Sequence, residues 1–90
     1  MHKFFDGQTA DGDSDAHGWY GGYGVVVVTG DFGGGTVKLQ VSADGTNWAD
    51  VNLETQFTAN GCGTFKLPAN LWLRLDLSGS TNPDLDGWVG

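Results

Sequence analysis

The sequence predicts an all-β protein: an antiparallel β-sandwich, jelly-roll-like, of about six to eight strands with no significant helix. Three observations lead there. Apolar and polar residues alternate in short runs from residue 23 onward, turn signals rich in glycine, aspartate and asparagine separate those runs, and no segment carries apolar residues at helical spacing without a glycine inside it.

Tyr23–Thr29 opens the series, with four consecutive valines, Val25 to Val28, that suit a strand covered on both sides. Gly30-Asp31-Phe32-Gly33-Gly34-Gly35 then serves only as a turn. In Thr36–Ser42, Val37, Leu39 and Val41 face inward, and Lys38, Gln40 and Ser42 face water. Asp44-Gly45 supplies a hairpin signal. Alternation resumes over Asn47–Leu53, where Trp48 competes with Val51 or Leu53 for the core. A short strand around Gln56–Ala59 follows, then the turn Asn60–Gly63. Thr64–Leu67 places Phe65 and Leu67 on one face before Pro68 ends it. Leu71–Leu77 is the clearest strand: four leucines on one face, with Trp72, Arg74 and Asp76 on the other. Ser78–Asp86 reads as turns, and Trp88-Val89 as a last edge strand. Residues 6–18 show neither period and read as an acidic, glycine-rich loop.

Ninety residues suit a single domain, 1–90, with a glycine- and aspartate-rich N-terminal segment over 1–24. Sixteen glycines make folding entropically expensive, so turns or partner subunits must use them. The net charge of −7, with only Lys3, Lys38, Lys66 and Arg74 positive, argues against nucleic acid and anionic membranes as partners. No run approaches the length of a membrane span, and the N-terminus lacks the apolar core of a signal peptide, so assembly in a cytoplasm is expected.

Catalytic and metal constellations are not expected. Cys62 is the only cysteine and reads as a small, buried or half-buried hydrophobe. Asp11, Asp13 and Asp15 begin like a calcium loop, but Ala16 and Gly22 occupy the positions that need the turn glycine and the bidentate glutamate. His2 and His17 lack metal-ligand spacing, and no serine lies in a nucleophile elbow. No cofactor is implied.

The aromatics are more informative. Phe4, Phe5, Trp19, Tyr20 and Tyr23 sit in the segment 1–24, and Trp72 lies on the polar face of its strand. Either they complete a small core, or they are exposed and contact protein or sugar. The six are taken as candidate protein-contact residues.

Ser42-Ala43-Asp44-Gly45-Thr46-Asn47-Trp48-Ala49-Asp50-Val51 resembles the Ser-x-Asp-Gly-x-x-Trp-x-x-Val hairpin of discoidin-like sandwiches and of small virion proteins of tailed bacteriophages. The phage resemblance extends over roughly residues 25–80, through Val28–Gln40, Thr58–Gly61 and Leu73–Thr81. It implies a non-enzymatic virion component: a head decoration (cement) protein, or a fibre or tail accessory protein. It also implies a home in the virion, the major capsid protein or other virion subunits as partners, and a homo-oligomer or many copies on the particle. The expected docking surface is the segment 1–24 with the neighbouring sheet edge. The alternative function is a carbohydrate-binding or host-recognition module of a head fibre or tail.

Overall fold

Period-2 alternation decides which side of each strand leaves water. In β4 (Gly22–Asp31) Val26 and Val28 are fully buried, and in β5 (Thr36–Ser42) so are Val37 and Leu39. Leu73, Leu75 and Leu77 form the buried row of β9 (Leu71–Ser78). The computed structural model describes residues 1–90 and places these rows face to face between two antiparallel sheets.

The four-stranded sheet runs β1 (His2–Gln8), β10 (Asp84–Val89), β4, β8 (Gly61–Leu67). The six-stranded sheet is built on the pair β9–β5. Its outer positions are filled by short segments: β2 (Gly12–Asp13) and β3 (His17–Trp19) beside β9, and β6 (Ala49–Asp50) and β7 (Gln56–Phe57) beside β5. A single 3-10 turn, Leu53–Thr55, is capped by Asn52, whose side-chain oxygen accepts the Thr55 N–H at 3.0 Å.

The all-β sandwich stands as expected, with more strands than expected because four of the ten are only two or three residues long. The N-terminal segment differs most. Residues 6–18 are not one loop: they finish β1 and supply β2 and the first two residues of β3. Their period is hidden because β1 shifts register between Lys3 and Phe5 and again between Asp6 and Gln8, with Gly7 at a φ of 66°. Trp88-Val89 is not an edge either. It ends the six-residue β10, which lies between β1 and β4. Asp84 and Asp86 had disguised that strand, yet they point outward while Leu85, Gly87 and Val89 point inward.

The outer valines, Val25 and Val27, are only half-buried, since nothing covers the far side of the four-stranded sheet. Leu53 leaves the competition for the core altogether, 83% exposed on the 3-10 turn, while Val51 packs against the core. Val41, Leu67 and Leu71 sit at strand ends and are half-buried. Cys62, expected inside, is exposed on the outer phase of β8.

Candidate functional site

The Ser42–Val51 hairpin is a hydrogen-bonded knot built from short polar side chains. Ser42 is buried, and its Oγ accepts the N–H groups of Asp44 and Gly45 at 3.2 and 2.8 Å. Asp44 Oδ1 accepts the N–H groups of Thr46 and Asn47, each at 2.9 Å, and Oδ2 accepts the Asn47 amide at 2.8 Å. These donors hold the Asp44 carboxyl well below the usual carboxylate range. Gly45, at φ 80°, closes the turn beside the Trp72 indole.

Trp72, 44% exposed, lies on the outer face of the six-stranded sheet between Gly18 and Gly45. The rest of that face is an ionic lattice. Arg74 meets Asp13 at 3.0 Å, donates to Gln40 at 2.9 Å and covers the Trp48 ring at 4.3 Å. Lys38 pairs with Asp50 at 3.7 Å. Burial, then hydrogen bonding and repulsion from Asp13, pushes the Asp76 carboxyl up to about 6.

The remaining candidates separate. Phe5 is 1% exposed and Trp19 5%, so both belong to the core and are withdrawn as surface contacts. Phe5 takes the inward phase opposite Gly87, and Trp19 lies against Phe65 with its Nε1 donating to the Leu67 carbonyl at 3.3 Å. Thus much of the N-terminal segment closes the sandwich of its own chain. Phe4 is half-buried. Tyr20 and Tyr23 stay open, 72% and 75% exposed. Tyr20 leans on Trp19 at 4.3 Å, and Tyr23 lies under the Lys66 ammonium at 5.0 Å on the outer face of the four-stranded sheet.

Where β1 and β3 approach each other, the sandwich opens into a pocket of about 230 Å³, lined by His2, Phe4, His17, Trp19 and Tyr20 among others. His2 and His17 stack across it with ring centroids 4.0 Å apart and planes within 9°. Burial, then the neighbouring His17, lowers the pKa of His2. No serine, cysteine, aspartate or glutamate side chain lines the pocket; its side chains offer ring faces and apolar surface. The imidazole pair was invisible in the sequence, since its members come from different sheets. The carboxylates of the acidic segment do not converge. Asp11 accepts from Gly79, Ser80 and the Ser80 hydroxyl, whereas Asp13 turns to Arg74. A second concavity, wide and shallow, lies between the β4–β5 turn and Thr58–Asn60, with Asp31 as its only ionisable side chain.

Fold and surface together define an all-β sandwich that presents stacked and exposed aromatic rings at one edge and a hydrogen-bonded hairpin at another. No protein-family model matches the chain, and no curated protein matches it. Among solved structures, two crystal structures, each of a pentameric capsid protein isolated from metagenomic phage sequences, are similar to it, both at 15% identity over 88% of this chain. Their TM-scores are 0.40 and 0.41, and the match covers 63% and 59% of those chains. The chain therefore matches about three fifths of the length of either.

Proposed function

We propose that the protein is a non-enzymatic structural component of a phage particle, a decoration protein seated on the head through the edge bearing Tyr20 and Tyr23. The major capsid protein is the proposed partner, many copies occupy each particle, and the virion is the place of action. The observation that carries this reading is Tyr20, 72% exposed yet held against Trp19 at 4.3 Å. A tyrosine already ordered by its own fold loses little further freedom on binding and brings a large ring with a polar tip. The hairpin at Ser42–Val51, shared in pattern with small virion proteins, supports the same reading. The test is co-sedimentation with heads of the parent phage that lack the protein. Fixed stoichiometry for the native chain and loss of binding for Tyr20→Ala/Tyr23→Ala, with the fold intact, is the expected result. Native chain that stays in the supernatant overturns the reading.

The same Tyr20–Trp19 pair favours one second reading, a carbohydrate-binding module, because stacked rings beside a small pocket suit the apolar face of a sugar. A glycan array separates the two: a specific hit lost with Tyr20→Ala supports sugar binding.

A further inference from the structure

Each sheet of a sandwich that does not close has two edges, and each edge exposes backbone donors and acceptors able to pair with another chain. Three of the four edges here are broken. β1 carries two register shifts and the charged Lys3 and Asp6. β2 with β3, and β6 with β7, are fragments of two or three residues. The fourth differs. β8 pairs with β4 without interruption from Gly61–Val28 to Leu67–Gly22, and β4 is its only strand neighbour. Outside its ladder with β4, only the Leu67 carbonyl of β8 has a hydrogen-bond partner, the Trp19 indole. No bulge, proline or inward charge blunts this seven-residue edge.

We propose that the β8 edge is a self-association surface, on which a second copy of the chain adds its own β8 antiparallel about a two-fold axis at Thr64. Several features select a second copy. The register that sets Thr64 against Thr64 also sets Phe65 opposite Gly63 and Leu67 opposite Gly61, so no two bulky inward residues oppose each other, with the inner side of Gly63 covered by the Glu54 carbonyl of its own chain. On the outer face Lys66 falls opposite Cys62, which keeps the two lysines apart. Charge favours the same place. In a chain of net charge −7, the longest run without an acidic residue is Thr55–Leu75, which contains all of β8. β8 itself therefore brings no carboxylate to the seam, while Glu54 stands beside it on the 3-10 turn that lies against Gly63. Leu53, 83% exposed on the 3-10 turn that packs against β8, adds apolar surface beside this edge. Two four-stranded sheets then run on as one continuous sheet. This interface does not depend on the virion reading.

Sedimentation equilibrium from low micromolar to millimolar concentration tests it, with circular dichroism to confirm folding. A monomer–dimer equilibrium is expected, weakened by on the order of tenfold or more in Thr64→Lys, which sets two ammonium groups face to face. Thr64 is exposed, so the substitution spares the core. A second variant fixes the register. Thr64→Cys in a Cys62→Ser background should cross-link on mild oxidation, because directly opposed residues lie about 4.5–5.5 Å apart. The native chain should not cross-link through this interface, because its two Cys62 residues would stand about 14 Å apart. A monomer at every concentration, a dimer indifferent to Thr64→Lys, or cross-linking through Cys62 overturns the proposal. So does a monomer whose seating on phage heads is abolished by Thr64→Lys, since the edge would then receive a strand of the particle. Failure to seat on heads by a dimer that behaves as expected counts only against the decoration reading.

Discussion

The Arg74 guanidinium stands 4.3 Å from the centre of the Trp48 ring, which fastens the hairpin before β6 to the middle of β9. The same side chain reaches Asp13 on β2 and Gln40 on β5, so it spans most of the outer face of its sheet. Arg74→Ala should lower stability by about 1–2 kcal/mol, combining a partly desolvated cation–π contact with a modest ion pair. Arg74→Lys should recover only part of this, since an ammonium cannot cover the ring and fork to two partners at once. Urea unfolding of both variants measures it, and equal stability of lysine and native forms would deny the stacking a role.

Asp76 makes stability fall with rising pH. Its folded pKa of about 6 lies above the ordinary carboxylate value, so the folded state holds the proton more tightly. The favourable contribution is complete below about pH 4 and is lost as pH rises through 6. Asp76→Asn should therefore be more stable than the native chain at neutral pH, with the difference vanishing near pH 4. Urea midpoints across that range decide the sign.

Asp44 works in the opposite direction. Its carboxylate is held by Asn47 and Thr46 donors and ionises more readily than a free one, so its contribution is present above the usual carboxylate pKa and lost only in stronger acid. In Asp44→Ala, the amides of Thr46 and Asn47 should exchange with solvent faster at neutral pH, while those of β9 hold their protection. Hydrogen exchange followed by NMR reads both sets, and unchanged Thr46 and Asn47 amides would count against the knot.

The core should answer to shape as well as size. Leu75 is fully buried, and Leu75→Ala should cost about 2–5 kcal/mol through lost transfer energy and the cavity left behind. A Cβ on Gly24 would lie 2.4 Å from the Phe65 ring and 2.6 Å from Trp19. Gly24→Ala should accordingly cost about 1–3 kcal/mol by overpacking. Chemical denaturation tests both; a neutral Gly24→Ala would mean the two rings shift freely.

What the sequence made legible was whatever repeats at a period of two for long enough. The strands around Val26, Leu39 and Leu75 announced themselves, and so did the Asp44-Gly45 turn. β1 did not, because two register shifts reverse the side on which its residues fall. β2 and β3 are too short to show a period at all. Among the contact candidates, Tyr20, Tyr23 and Trp72 are exposed, but Phe5 and Trp19 went inside once β1 and β3 joined the sheets. The His2–His17 stack left no trace in the sequence, since only tertiary structure brings the two rings together.

The strand order of the four-stranded sheet also governs when the protein can form. His2 pairs with Val89, and β10 joins β1 to β4, so this sheet has no complete centre until Asp84–Val89 have left the ribosome. Contacts so distant along the chain require large loops to close before any gain is returned, which slows folding. During synthesis β4 can pair with β8, but β1 with Phe5 must wait without a neighbour in its sheet, its apolar surface open to chaperones or to other chains. Yield in the cell should therefore depend on how soon β10 is delivered to β1 and β4, and disruption of β10 should cause aggregation rather than partial folding.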